Sequence, residues 1–220
     1  MYGISAQKLY DKLQKRHIVG ATGKISIELL NVMCNVSDKS AVGNLLQEWL
    51  GAWMSENKIY YRTNPNTQEF PDFYLGKSDA SDLLEIKTFD FTKTPNFDIA
   101  NFDAYVRSVM TKSYRFDADY LIFGYTLTEN GLKIENIWLK KIWEITCPSK
   151  QYALRVQVKQ GKIMNIRPYN FKTASQGFQP FATRYDFIDA IKQTLANYPL
   201  QTVTDQEWHQ AVQANYASFH

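Results

Sequence analysis

Cysteine and histidine are nearly missing from this chain of 220 residues. Cys34 and Cys147 have no metal-type spacing, and two cysteines in a chain this long make no disulfide framework, so both read as small buried hydrophobes. None of the three histidines, His17, His209 and His220, has a second histidine or a cysteine at ligand spacing, which argues against a zinc hydrolase and a histidine-activated cysteine nucleophile. Ten glycines and seven prolines are too few for a linker-rich or fibrous chain. The G-x-S-x-G elbow, the P-loop and the G-x-G-x-x-G fingerprint are also absent. No apolar run comes near the roughly 18 residues of a membrane span, and the opening residues 1–8 have neither the cationic nor the apolar region of a secretory signal. The expectation is a soluble, cytoplasmic protein whose catalysis, if any, uses carboxylates.

What the chain does have is material for a core. Hydrophobic residues make up 45% and aromatics 15%, and the length suits one core, so one domain over residues 1–220 is expected. Charge is unevenly spread. Residues 138–185 carry nine lysines and arginines against Glu144 alone, a local +8 in a chain whose total is only +3. Such a segment is either a footprint for a polyanion or a solvated strand face.

Periodicity predicts a short amphipathic helix over residues 5–16 and a firmer one over 40–54, with Ser40 as its cap and Glu48 inside it. Residues 59–62 favour β structure. Residues 70–75 and 83–89 read as two strands joined by a polar, glycine-containing turn. A helix around 98–111, a buried strand over 120–125, a turn at 129–132 and a strand over 133–139 follow. A pair of strands over 153–158 and 163–167 comes next, then a helix over 184–198. The capping box Thr204-Asp205-Gln206-Glu207 opens a last helix.

The two strands around residue 80 carry the chemistry. Asp72 and Glu85 have twelve residues between them, enough for a strand, a turn and a return strand that bring both carboxylates to one end of a sheet. Alternation puts Glu85 and Lys87 on one face and Ile86 on the other. Asp72 and Glu85, with the Ile86 backbone carbonyl, form a hard-oxygen set suited to Mg²⁺, with waters and a phosphate oxygen completing an octahedron. Lys87 could then orient or help deprotonate an attacking water. Both acids interrupt apolar strands, where an unpaired charge is costly. The plainer alternative is a pair of strand-end charges at a solvated edge, with Glu85 and Lys87 as a surface ion pair.

Pro71-Asp72 followed by Glu85-Ile86-Lys87 resembles, residue for residue, the motif of the PD-(D/E)xK nucleases, and among them the type II restriction endonucleases. The resemblance covers about residues 40–125, including an acid-bearing helix before the motif strands and a helix and strand after the lysine. It implies an α/β fold: a restriction-endonuclease-like core with a central mixed β-sheet flanked by helices, and an added β-rich recognition segment. The layout it suggests is a catalytic core over about 40–125, a basic DNA-recognition segment over about 130–185, and C-terminal helices over 186–220. Glu48 would be the helix acid that serves some members as a metal or water ligand, or else an exposed helix charge. Residues 137–143, 155–159 and 166–169 resemble the NgoBV-type enzymes, which would imply a target of the GG-NN-CC type.

The basic segment then acquires a role. Gln157, Lys159, Arg167 and Asn170 include side-chain types that read base edges, while Lys140, Lys141, Lys150, Lys162 and Lys172 suit phosphates. The reading that follows is a Mg²⁺-dependent, sequence-specific endonuclease of double-stranded DNA leaving 5′-phosphate ends, working as a homodimer on a palindrome. Alternatives are another PD-(D/E)xK nuclease, such as a junction resolvase or repair nuclease, and a non-catalytic DNA-binding module.

Overall fold

Helix and strand boundaries follow local chemistry in this computed structural model, which describes residues 2–35, 38, 41–66, 69–128, 131–173 and 177–219. In chain order the elements are α1 (Ala6–Lys15), β1 (Thr22–Gly23), β2 (Ser26–Leu29), β3 (Val32–Asn35), α2 (Val42–Glu56), β4 (Arg62–Thr63), β5 (Phe73–Tyr74) and β6 (Leu83–Asp90). Next come β7 (Ala100–Asn101), α3 (Phe102–Val109), β8 (Asp119–Thr128), β9 (Gly131–Lys141), β10 (Val156–Lys159), β11 (Lys162–Ile166), α4 (Arg184–Ala196) and α5 (Asp205–Ala217). The chain divides into two compact units, residues 1–94 with 119–139 and residues 95–118 with 140–220. Strands β8 and β9 are hydrogen-bonded neighbours in one sheet.

The first unit is built on a six-stranded sheet in the order β1-β9-β8-β6-β5-β4. It is mixed: β6 and β8 run parallel, with Glu85 opposite Tyr120 and Lys87 opposite Ile122, while β5 is antiparallel to β6 and to β4. Helices α1 and α2 supply Leu9, Leu13, Leu46, Leu50 and Met54 to a core completed by Phe73, Leu84, Ile86, Leu121 and Phe123. Each such side chain contributes about 1.5–3 kcal/mol when fully buried. Gly43 and Gly51 let α2 approach closely: a Cβ would stand 3.2 Å from Thr88 Oγ1 at the first and 3.2 Å from the Tyr61 hydroxyl at the second. Leu84, Ile86 and Thr88 thus face α2, and alternation sends Glu85 and Lys87 to the other face. On β8, Gly124 makes room for the stacked rings of Phe91 and Trp138, where a Cβ would come within 2.8 Å of Phe91.

A two-stranded hairpin, β2 with β3, stands apart from that sheet. Its register pairs Ile27 with Cys34 and Leu29 with Val32, across a turn in which Leu30 and Asn31 have φ of 50° and 64°. Cys34 is exposed here, contrary to the expectation of burial; Cys147 is buried.

The second unit holds a three-stranded sheet, β10-β11-β7, with α3, α4 and α5. Trp208 on α5 is fully buried and donates its indole N–H to the Val106 carbonyl of α3 at 2.9 Å. Asp117 accepts from Arg184 at 2.6 Å and from the Tyr216 hydroxyl at 3.3 Å, binding both C-terminal helices to the segment after α3. Thr204 and Glu207 form the expected capping box, and Thr183 with Asp186 forms a second. Helix α3 is shorter than periodicity suggests, because Ala100 and Asn101 pair with β11 and Asn101 caps the helix. Ser40, Glu129, Asn130 and His220 lie outside the described residues. Among the described residues no helix is long and apolar enough to cross a membrane.

Candidate active site

Strand β5 begins only at Phe73, and the reason is Asp72. Pro71 has no N–H to give a ladder, and beside it Asp72 turns its own carboxylate to the neighbouring strand, accepting the Ile86 N–H at 2.7 Å. The β5–β6 register pairs Phe73 with Leu84; carried one residue further it sets Asp72 opposite Glu85. Phe73 and Leu75 belong to the core, so Asp72 and Tyr74 share the face that carries Glu85 and Lys87.

On that face Glu85 is only 9% exposed. Its Oε1 meets Lys87 Nζ at 2.9 Å, while its Oε2 is buried with no hydrogen-bond partner. Burial, and then the charge of Glu85, push the Asp72 carboxyl up to about 7, against the pull of the Ile86 N–H and the Lys87 ammonium. When Asp72 ionises, two carboxylates and one ammonium share a poorly solvated place, with one anionic charge more than Lys87 offsets.

That imbalance is what a divalent cation would correct. Among the described residues no group of three or more His, Cys, Asp and Glu side chains could hold a metal, so the protein's share would be two carboxylates and a backbone carbonyl. An all-oxygen set of that size suits Mg²⁺, which keeps several waters and binds through one or two carboxylates plus substrate phosphate. The orphaned Glu85 Oε2 and the proton held at Asp72 both fit such an ion.

Glu48 is not brought to this cluster. It is exposed on the side of α2 turned away from Val42, Leu46, Leu50 and Met54, and α2 itself packs on the opposite face of the sheet. Sequence reasoning also missed Arg62. Its guanidinium lies 4.6 Å over the Tyr74 ring, pairs with Asp79 at 2.8 Å, and donates to the Gly76, Lys77 and Ser78 carbonyls. It fixes the connection between the two acid-bearing strands. Its partners are turn carbonyls, which leave no residue pattern to read.

The DNA-reading candidates fall into two groups. Arg167 is engaged, pairing with Asp98 and donating to the Asn96 carbonyl at 2.6 Å, and Lys141 donates to the Asp117 carbonyl at 2.6 Å. Lys159 at the end of β10 is exposed, and Lys140, Gln157, Asn170 and Lys172 are half-buried. Gln157 accepts from Asn165 at 3.5 Å, and Asn170 donates to Thr173 at 3.0 Å while its Oδ1 is buried without a partner.

A mixed sheet with flanking helices and two acids with a lysine on one face is a restriction-endonuclease-like arrangement. The solved structure of NlaIV restriction endonuclease superposes on it with a TM-score of 0.93 at 37% identity, covering 100% of this chain and 91% of that one. The type II restriction enzyme NlaIV of Neisseria lactamica is 38% identical over 220 residues, 98% of this chain and 90% of its own length. NgoBV of Neisseria gonorrhoeae, also a type II restriction enzyme, is 37% identical over 163 residues, 73% of this chain and 93% of its own. A family model described as NgoBV restriction endonuclease matches residues 3–220, and the chain belongs to that family.

Proposed function

We propose that this chain is a type II restriction endonuclease that hydrolyses both strands of duplex DNA at a specific sequence, leaves 5′-phosphate ends, and acts as a homodimer with Mg²⁺. Family membership supports the activity. The observation that carries the site is the Glu85 carboxylate, paired to Lys87 through one oxygen and left unpartnered at the other, beside Asp72.

In this reading Asp72, Glu85 and the Ile86 carbonyl hold the ion. Mg²⁺ would supply the positive charge that acidifies the attacking water and offsets the charge growing on the phosphate. Asp72 is kept in place by the Ile86 N–H, so its position is tied to the strand that carries the other groups. Lys87, paired with Glu85, would orient the water and balance negative charge in the transition state. Water oxygen bonds to phosphorus, the bond to the 3′ oxygen breaks, and that oxygen leaves with a proton. Lys159, grouped from sequence with the base-edge readers, is exposed at the end of β10 and in this reading would instead meet a phosphate, and a two-fold dimer would match a palindrome of the GG-NN-CC type.

Digestion of a sequenced plasmid with Mg²⁺, followed by mapping of the ends, tests this. Discrete fragments with 5′-phosphates are expected, lost in Asp72→Ala, Glu85→Ala and Lys87→Ala while DNA binding persists. A smear without discrete ends would indicate a structure-specific or non-specific nuclease. Cleavage surviving in Glu85→Ala would move the active site elsewhere.

A further inference from the structure

The β2–β3 hairpin has an apolar face that no described residue covers. Its register puts Ile27, Leu29, Val32 and Cys34 on one side, with Ser26, Glu28, Met33 and Asn35 on the other. Ile27 is 51%, Leu29 70% and Val32 69% exposed, and Leu30 at the tip is 97% exposed. Leu30 also holds a φ of 50°, a left-handed conformation that suits asparagine or glycine and disfavours leucine. A lone two-stranded ribbon is marginal in water, so a sequence that spends its apolar residues on the bare face, and a leucine on the turn, is built for a contact.

The same unit carries a matching surface. A hollow of about 400 Å³ opens beside the root of the ribbon, lined by Ile18, Ile25, Leu45, Trp49, Leu132 and Ile134. Leu45 and Trp49 on its wall are 38% and 37% exposed. A protrusion and a hollow of like polarity, both on one chain, are what an isologous contact needs, because a two-fold axis delivers each copy's protrusion to the other's hollow. The ribbon offers on the order of 500 Å² of apolar surface, and with the walls of the hollow it approaches the roughly 800 Å² per partner of a standard interface. DNA is a poor occupant, since phosphates are met by cations and hydrogen-bond donors, which the apolar face lacks.

We propose that the β2–β3 hairpin is a dimerisation arm: in a homodimer, the face of Ile27, Leu29 and Val32 packs on a second copy of this chain and Leu30 enters the hollow lined by Leu45 and Trp49. The proposal rests on the homodimer reading above and says which surface makes it. The test is sedimentation velocity of the full chain, with and without duplex DNA, for the wild type, for Leu30→Asn and for Leu29→Thr with Val32→Thr. Asparagine relieves the turn and threonine keeps the strands, so monomer stability should not fall. The wild type is expected to dimerise, with a dissociation constant at least about tenfold higher in either variant, equal to about 1.4 kcal/mol. Cys34, the exposed one of the two thiols, should react more slowly with a thiol reagent as protein concentration rises. Variants that dimerise as tightly as the wild type, or Cys34 reactivity that ignores concentration, overturn the arm and leave the homodimer standing. A wild type that stays monomeric with and without DNA overturns both.

Discussion

Asp72 accepts the backbone N–H of Ile86 at 2.7 Å, so a side chain stands where a neighbouring strand would otherwise complete the ladder. The start of β5 and the candidate metal site are therefore one construction. A carboxylate anchored to the backbone of the strand that bears Glu85 and Lys87 cannot drift from them without breaking a strand-edge hydrogen bond.

The metal-free protein should lose stability as pH rises. Burial and Glu85 hold the Asp72 carboxyl at about 7 in the fold, against 3.8 for the ordinary group, so the folded state binds a proton more tightly than the unfolded chain. The loss develops between those two values and levels off above the higher one. Urea midpoints from pH 4 to 8 in chelator should show the decline. Asp72→Asn, which keeps an acceptor for the Ile86 N–H, should flatten it and raise the midpoint at pH 8; a slope unchanged in that variant would mean another group causes it.

Lys87→Gln should separate chemistry from binding. The side chain stays polar and about as long, and loses only the ammonium paired with Glu85 at 2.9 Å. Cleavage rate should fall by roughly 10²–10⁴-fold, the usual scale for removing a general acid–base group, while the affinity for uncleaved duplex changes little. Single-turnover rates at saturating Mg²⁺, beside a binding titration, would read the two separately.

Arg167 and Lys159 were alike in sequence and should differ in solution. Arg167→Ala removes a pair with Asp98 and a bond to Asn96, and should cost about 1 kcal/mol of stability, discounted for the half-exposed Asp98. Lys159→Ala should leave the fold unchanged and reduce the magnitude of the slope of log affinity against log salt by about 1. Melting curves and binding isotherms over 50–200 mM salt, a range that spans roughly 10³-fold or more in affinity for such proteins, check both.

Gly124→Ala should destabilise by about 1–3 kcal/mol, the cost of an added methyl group in a filled core. Its Cβ would lie 2.8 Å from Phe91 and 3.0 Å from Trp138, both ring atoms with little freedom to retreat. Denaturant midpoints would show it, and tryptophan emission should shift as Trp138 moves.

The parts legible in the sequence were those with a short-range code. Leu9 and Leu13 announced α1, the spacing from Val42 to Trp53 announced α2, and Thr204 with Glu207 marked the start of α5. Glu85 and Lys87 were legible as a same-face pair because strand alternation is local. The Thr183–Asp186 cap and the apolar alternation on either side of Leu30 were equally local and could have been read. What stayed hidden depends on distant backbone. Nothing near Arg167 betrays Asp98, nothing near Lys141 betrays the Asp117 carbonyl, and the outward turn of Glu48 is fixed only when α2 chooses the far face of the sheet.

The first unit is not one stretch of chain: it is interrupted after residue 94 and resumes at 119 with the strand that pairs to β6. During synthesis, Asp72, Glu85 and Lys87 leave the ribosome before the parallel neighbour that steadies two of them exists. Until β8 has emerged the sheet lacks the strand beside β6, and until β9 follows it no nascent fragment holds the three groups on a finished scaffold.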